Sequence, residues 1–283
     1  MHALRLFAVL LLAGLYASPV HAAESYDNCT GFVTSLPATL STQGTWCLKK
    51  DLSTSITSGA AITIGNNNVI LDCNDFKVGG LAAGVGTITL GIYAIERVNT
   101  TVRNCNLRGF QFGMFLYGGR GQLIEDNRIE QSTVTGILVY GDGVTVRRNR
   151  VMDTGGRPDS QLSSGIDASF GSVSVTDNRI DGVTVTGSGG FGHVYGIDLN
   201  SGPADVTRNF ITNLVPATGG HAQGIRGNAV APSNIHGNTV MNAVTVTGWG
   251  IHGGANAACH GNTVSRYSTS TFACTVDVDN TPF

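Results

Sequence analysis

The stretch GILVYGDGVTVRRNRV, residues 136–151, contains both units of the repeat that decides the fold of this chain. The first unit is a glycine followed by an apolar residue, and the second is an asparagine, any residue, and then Ile or Val. Copies of the first unit begin at Gly91, Gly113, Gly136, Gly165, Gly196, Gly224 and Gly250. Copies of the second begin at Asn127, Asn149, Asn178, Asn209, Asn238 and Asn262, with Cys105 in the same place one repeat earlier.

The spacing of the two units indicates a solenoid. Each glycine precedes the next asparagine position by 12 to 14 residues, whereas the return distance varies from 8 to 18 residues. Each repeat therefore has a fixed half and a half that accepts insertions, as expected for stacked coils. A helical solenoid is disfavoured because no 3.6-residue apolar period accompanies the repeat.

The fixed half has the alternation of β-strands. The column directly after the glycine reads Ile92, Met114, Ile137, Ile166, Ile197, Ile225 and Ile251. Because strand side chains alternate between faces, this column and the one two residues later should face the core. Two further apolar columns flank the asparagine and are five positions apart. Because an odd separation would place them on opposite faces of a straight strand, the chain must turn between them for both to face the core. We expect the asparagine to adopt a left-handed conformation at that turn, with stacked asparagines hydrogen-bonded between coils.

These columns and asparagine positions resemble those of the pectin-lyase-like superfamily, in particular its exported, uncharacterised branch, over roughly residues 60–265. The resemblance implies an all-β protein, a right-handed parallel β-helix, and the crossover rule for parallel strands agrees with that hand. It implies no single function, because the fold carries lyases, hydrolases, epimerases, adhesins and metal-delivery proteins. The Asp-Pro-His sequence of alginate epimerases and the Asn-Thr-Asp and Gly-Asp-Asp sequences of polygalacturonases are absent.

The first 22 residues have the features of a secretory signal. Arg5 is followed by an apolar run from Leu6 to Leu15, and Ala22 suits a cleavage site. The run is too short to span a bilayer, so we expect a secreted or periplasmic protein without a membrane span. The predicted organisation is a signal peptide at 1–22, an N-terminal cap at 23–60, the parallel β-helix at 61–264 and a C-terminal cap at 265–283.

Six cysteines in an exported chain suggest disulfide bonds. Six cysteines allow fifteen connectivities, so spacing gives a preference only. The preferred pairs are Cys29–Cys47, Cys259–Cys274 and the remaining Cys73–Cys105.

Charge excludes one class of partner. The formal net charge is −2, and no basic stripe is present, so we expect no nucleic-acid partner. We expect a monomer that binds a polysaccharide.

One predicted outward column changes character halfway along the solenoid. Two residues after each glycine it reads Tyr93, Phe115, Leu138, Asp167, Asp198, Arg226 and His252. The insertions at 152–164, 181–195, 212–223 and 241–249 precede the four polar positions. Adjacent coils lie about 4.8 Å apart, so these four side chains should be neighbours in a groove walled by loops. We predict Asp167, Asp198, Arg226 and His252 to be catalytic.

Seven further residues near this column are predicted to bind substrate. Aromatic rings could stack on sugars, and amide or imidazole groups could bond to hydroxyls. These candidates are Tyr117, Tyr140, His193, Tyr195, Asn200, His221 and Asn228.

The paired carboxylates allow two mechanisms. Stacked carboxylates repel, so one pKa should rise unless a cation intervenes. In a hydrolase, one Asp is the general acid and the other positions water or attacks the sugar. In a lyase or epimerase, His252 is the base on physical grounds, and the resemblance adds Arg226 as an alternative base. Ca²⁺ held on Asp167 and Asp198 could neutralise the developing charge, and no other cofactor is indicated.

The working hypothesis is a secreted lyase or hydrolase of an acidic, uronate-containing glycan, because Arg226 and His252 could meet a carboxylate. The main alternative is a non-catalytic carbohydrate-binding or surface-adhesion protein. A lesser alternative is periplasmic copper handling, because His236 and His260 are predicted neighbours.

Overall fold

The computed structural model describes residues 26–186, 192–227 and 231–282, in which parallel strands stack coil upon coil. Strand pairing divides the coils into three sheets. The site sheet, which contains the glycine units, comprises Ala38–Leu40, Ala60–Ile64, Leu90–Ile95, Phe112–Arg120, Thr135–Asp142, Leu162–Ser169, His193–Asp198 and Ala222–Arg226. The second sheet comprises Gly31–Val33, Gly44–Leu48, Val69–Asp72, Thr101–Arg103, Leu123–Glu125, Val144–Arg147, Val173–Thr176, Ala204–Thr207 and Ser233–His236.

The third sheet follows the asparagine units. It comprises Leu52–Ser53, Lys77–Gly79, Asn106–Arg108, Arg128–Glu130, Arg150–Gly155, Arg179–Thr184 and Phe210–Val215. Two long strands, Thr239–His260 and Thr263–Val278, bend through all three sheets, and Thr281–Pro282 pairs with the start of the second of them. The described residues contain one short 3-10 helix, Leu81–Ala83.

The core confirms the predicted parallel β-helix. All seven apolar side chains that follow the glycines are fully buried. They stack in register, so that Ile137 pairs with Ile166 and Ile166 with Ile197. The buried apolar side chains form one cluster from Val33 to Tyr267, which gives the solenoid a continuous interior.

The repeated glycine is required because neighbouring coils approach closely at its position. A Cβ atom on Gly165 would lie 2.6 Å from Ile180 Cγ2 and 2.8 Å from the carbonyl oxygen of Gly196. Real Cβ atoms essentially never show such contacts, so alanine would push the coils apart.

The asparagines form a buried hydrogen-bond ladder. Each amide Nδ2 donates to Oδ1 of the next asparagine at 2.8–3.0 Å through Asn127, Asn149, Asn178, Asn209, Asn238, Asn262 and Asn280. Each backbone N–H also donates to that Oδ1, as Asn149 N–H does to Asn178 at 3.0 Å. The stacking of the coils therefore gives the buried amide groups hydrogen-bond partners, and these bonds hold adjacent coils together.

The expectation that these asparagines adopt the left-handed conformation is wrong. The residue before each asparagine does so instead, as shown by φ values of 56° at Asp126, 53° at Arg148 and 57° at Asp177. The turn thereby aims the asparagine side chain inward, where its amide groups meet the neighbouring coils. The asparagine is thus required for the hydrogen bonds of its side chain and not for its ability to adopt a left-handed backbone conformation.

The predicted disulfide pairing is confirmed. The bonds are Cys29–Cys47, Cys73–Cys105 and Cys259–Cys274. The first and third lie near the two ends of the described chain, and the second is buried at one end of the asparagine ladder, where the Cys105 N–H donates to Asn127 Oδ1 at 3.0 Å.

The parallel ladder extends into both segments predicted as caps. Gly44–Leu48 pairs with Val69–Asp72, and Thr263–Val278 pairs with Thr239–His260. The predicted boundaries between caps and β-helix stay predictions, and the predicted signal peptide lies outside the described residues. Among the residues that the structure describes, no helix has the length and apolarity needed to cross a membrane.

Candidate functional site

The four predicted catalytic residues lie in register on the site sheet. Asp167 pairs with Asp198, Asp198 with Arg226, and Arg226 with His252. We call these four residues the polar strip. Their neighbours along each strand, such as Ile166, point into the core, so strand alternation turns the strip outward.

One insertion forms a wall beside the site sheet. The loop after Arg150–Gly155 reaches back along the solenoid, where Arg157 Nη1 donates to the carbonyl oxygen of Thr87 at 2.9 Å. Asp159 accepts from Arg157 Nε at 2.6 Å and fixes the guanidinium. The loop therefore spans several coils along the edge where the strands begin.

Arg226 and Asp198 form a closed ion pair at the centre of the strip. Arg226 Nε and Nη2 donate to the two carboxylate oxygens of Asp198 at 2.5 and 2.6 Å. Nη2 also donates to Asn200 Oδ1 at 2.5 Å, and Nη1 donates to the Tyr195 hydroxyl at 3.1 Å. Four of the five guanidinium N–H groups are therefore engaged within the protein. These polar groups cover the Asp198 side chain, which is only 2% exposed.

Asp167 occupies the next coil and lacks a cation of its own. Its Oδ2 accepts from the Tyr140 hydroxyl at 2.8 Å, and its Oδ1 accepts from Asn200 Nδ2 at 3.2 Å. Burial, followed by repulsion from Asp198, raises the pKa of Asp167 to about 7. Burial and the charge of Asp167 also raise the pKa of Tyr140 well above its ordinary value, so its hydroxyl stays a donor.

The two carboxyl groups therefore have different electrostatic environments. Burial raises the pKa of Asp198 as well, but the charge and hydrogen bonds of Arg226 oppose that rise. Because the guanidinium donates to both Asp198 oxygens, the ionised form of Asp198 fits the geometry. The pair consists of Asp167, whose pKa is raised to about 7, beside Asp198, which Arg226 binds through both oxygens, and such unequal environments can separate acid and base roles.

His252 belongs to a separate part of the strip. It lies three coil steps from Asp167, about 14 Å at the spacing of parallel strands, so the two cannot act on one bond. Its Nδ1 is 3.3 Å from Gln223 Oε1, which leaves Nε2 as the proton acceptor of the neutral ring. Burial and the charge of Arg226 lower the pKa of His252 and favour that neutral ring.

Aromatic rings surround His252. The Trp249 ring lies 5.6 Å from it and the Phe272 ring 5.2 Å. The predicted substrate-binding residues His193 and His221 stack on each other at 5.4 Å, and His221 lies 5.4 Å from Trp249. Burial, then the neighbouring His221, lowers the pKa of His193. The result is an aromatic platform at this end of the strip.

A second aromatic cluster lies at the other end. The predicted residues Tyr117 and Tyr140 have ring centroids 5.6 Å apart. Phe170, which the sequence analysis missed, lies 4.9 Å from Tyr140 and is 54% exposed. No column pattern marks Phe170, because it follows the strand Leu162–Ser169 and belongs to a turn.

Three other missed residues lie beside the strip. Gln223 pairs with Tyr195 and Trp249 in the column directly before the repeated glycine, and extending that column from Tyr195 would have found both. Phe272 continues the polar column one coil past His252. The predicted residue Asn228 lies outside the described residues.

The strip does not fit a calcium site in this arrangement. Both Asp198 oxygens already accept from Arg226, and no group of three or more His, Cys, Asp or Glu side chains within the described ranges is placed to hold a metal. His236 and His260 stack at 4.9 Å on the second sheet, but their Nε2 atoms contact Thr207 and Asn234 at 3.0 Å. These contacts favour structural roles for the two imidazoles over copper binding.

The fold and the strip together define a parallel β-solenoid with two neighbouring buried carboxyl groups between aromatic clusters. Residues 51–211 match the protein family described as the right-handed β-helix region, which covers more than half of the chain. The chain therefore belongs to the right-handed β-helix family. No curated protein matches the chain significantly.

Proposed function

We propose that this protein binds a linear polysaccharide along the polar strip and cleaves it by acid catalysis at Asp167. The observation that carries the proposal is the pair of buried carboxyl groups with unequal partners, in which Asp167, whose pKa is raised, lies one coil step from the Arg226-bound Asp198. The aromatic clusters at both ends support a long, ring-containing ligand. Phe115 and Phe272 lie six coil steps apart, which gives the strip a length of about 29 Å.

The chemistry is that of glycoside hydrolysis. Asp167 gives its proton to the glycosidic oxygen while the bond from that oxygen to the anomeric carbon breaks. A water then attacks the anomeric carbon and returns a proton to Asp167. Asp198 supplies a fixed negative charge beside the positive centre that develops, and its contacts to Arg226 hold that charge in place.

The proposed cleavage does not depend on whether the glycan carries carboxylate groups. The sequence-based expectation of a uronate relied on Arg226 meeting a substrate carboxylate. Because both Nη2 hydrogens and Nε are engaged, a bidentate contact to substrate would require Arg226 to release Asp198 or Asn200. The proposed cleavage applies to acidic and neutral polysaccharides, and a substrate panel should include both.

The closed network supports one second candidate, a glycan-binding protein without catalytic activity. Asp198 is almost fully covered, and Arg226 is held by three residues, as in a rigid binding surface. The platform formed by Trp249, His252 and Phe272 suits sugar stacking without any bond cleavage.

The test is an activity screen of the purified protein on polygalacturonate, alginate, chondroitin sulfate and neutral xylan. We expect new reducing ends without unsaturated products, loss of this activity in Asp167→Asn, and its retention in Asp205→Asn. Asp205 is a matched control because it is a half-exposed carboxylate on the second sheet.

Each other outcome has a defined meaning. Unsaturated products that disappear in His252→Ala would show β-elimination with His252 as the base. Full activity in Asp167→Asn would refute the proposed acid. Binding without any cleavage would establish the non-catalytic candidate.

A further inference from the structure

Phe170 has a backbone conformation that is costly for its residue type. Its φ of 70° lies in the left-handed region, which a bulky side chain rarely adopts. The comparable turn in an earlier coil, after Tyr117, has Gly118 with a φ of 71°. Glycine at position 170 would take the same turn without steric cost, so the turn itself does not require phenylalanine.

The core does not require the Phe170 ring either. Phe170 is 54% exposed. Its backbone N–H is 3.2 Å from both the carbonyl oxygen and the hydroxyl of Ser201, which holds the strained turn in place. Strained backbone conformations occur often at functional sites, and here the strained residue also presents an exposed aromatic ring.

The ring belongs to a cluster that leads directly to the proposed acid. Phe170 packs edge-on against Tyr140 at 4.9 Å and 72°, and against Tyr117 at 6.2 Å and 67°. The Tyr140 hydroxyl donates to Asp167, so the cluster begins one hydrogen bond from the reacting carboxyl. Tyr117 is 43% exposed and extends the aromatic surface along the solenoid axis.

We propose that Phe170 and Tyr117 form an aromatic subsite that stacks on the sugar ring next to the bond cleaved at Asp167. This inference rests on the proposed function. The C–H face of a pyranose packs on aromatic rings, while its edge hydroxyls face the polar groups of Tyr140 and Asn200. A pyranose fits because the surface combines two exposed rings, on coils two steps apart, with hydroxyl, carboxyl and amide groups on the coil between them, on the coil of Phe170 and on the next coil.

The test measures binding without turnover, in an Asp167→Asn background. Hexasaccharides of galacturonate, mannuronate and xylose are titrated calorimetrically into this parent and into the same protein carrying Phe170→Gly, Phe170→Tyr or Tyr117→Ala. We expect Phe170→Gly to weaken the tightest-binding hexasaccharide by about tenfold or more, and Phe170→Tyr to change its affinity by about twofold or less.

Thermal unfolding separates a binding role from a structural one. We expect the Tm of the Phe170→Gly protein to stay within about 3 °C of the parent, because relief of the left-handed strain offsets the lost ring contacts. Arg266→Gly is the matched backbone control, since Arg266 is exposed with a φ of 61°. It should leave hexasaccharide binding unchanged.

The outcomes distinguish this inference from the proposed function. Undiminished affinity in Phe170→Gly would overturn the inference and leave the proposed function standing. No binding of any of the three hexasaccharides by the parent would overturn both. If Phe170→Gly fails to fold, Tyr117→Ala decides by the same tenfold criterion.

Discussion

Replacing Asp167 with asparagine should remove the pH dependence of stability that this residue creates. Asparagine is isosteric with a protonated aspartate and can keep both hydrogen bonds. Its Oδ1 would accept from Asn200, and its Nδ2 would donate to the Tyr140 oxygen, which is now the donor at 2.8 Å. The substitution therefore removes the buried charge and little else.

The magnitude follows from the pKa of Asp167 in the folded and unfolded chains. That pKa is about 7 in the folded protein against an ordinary value of 3.8, so the folded state binds the proton more tightly. Stability from this group is fully present below about pH 4 and is lost as pH rises to about 7. Each tenfold change in the protonation equilibrium is worth about 1.4 kcal/mol, so the full loss is about 4 kcal/mol.

The assay is urea unfolding between pH 5 and pH 9 with the disulfides intact. Between pH 5 and pH 8 the wild-type protein should lose about 3 kcal/mol relative to Asp167→Asn, the variant being the more stable at pH 8. Asp153→Asn, which changes an exposed carboxylate on the third sheet, is the control and should follow the wild type. Parallel pH profiles for the wild type and Asp167→Asn would refute the raised pKa and the acid role based on it.

Three further predictions concern the scaffold. Asn178→Ala breaks the buried ladder and leaves two N–H donors of Asn149 without their acceptor. Urea unfolding should show that the free energy of unfolding falls by about 3 kcal/mol, and a fall below about 1 kcal/mol would contradict a stabilising role of the ladder. Gly165→Ala should cost about 2 kcal/mol in thermal unfolding, whereas Gly86→Ala, with no atom within 4 Å of the added Cβ, should be tolerated. Replacing Cys73 and Cys105 together by alanine should cost about 3–4 kcal/mol in urea unfolding, given their separation of 32 residues, and an unchanged midpoint would refute this.

Much of the fold could be predicted from sequence because coil stacking forces like residues into register. The column after the glycines gives the core, and cysteine spacing gives the disulfides. The conformation of the asparagine positions could not be predicted, because residue type does not reveal whether Asn serves through its backbone or its amide. At one of these turns the residue in the left-handed conformation is Arg148, although arginine rarely adopts that conformation. Its backbone N–H donates to the carbonyl oxygen of Thr176 in the next coil.

The candidate site was predictable in register but not in its contacts. The spacing of the glycines placed Asp167, Asp198 and Arg226 on successive coils. It could not show that Arg226 turns toward Asp198 and leaves Asp167 without a cation, because that choice depends on side-chain rotamers and on Asn200. Phe170 could not be predicted for a different reason. It lies in a turn after a strand, where side chains no longer alternate between the two faces of a sheet.

The same stacking of like residues has different consequences for the asparagines inside the solenoid and for the aspartates of the polar strip. An amide donates and accepts at once, so asparagines can repeat along the axis with every bond satisfied. A carboxylate only accepts, so two stacked aspartates cannot satisfy each other and need donors from other residues. Arg226 gives Asp198 a positive charge and two donors, whereas Tyr140 and Asn200 give Asp167 only neutral donors. The pKa of Asp167 is therefore the one expected to lie near neutrality.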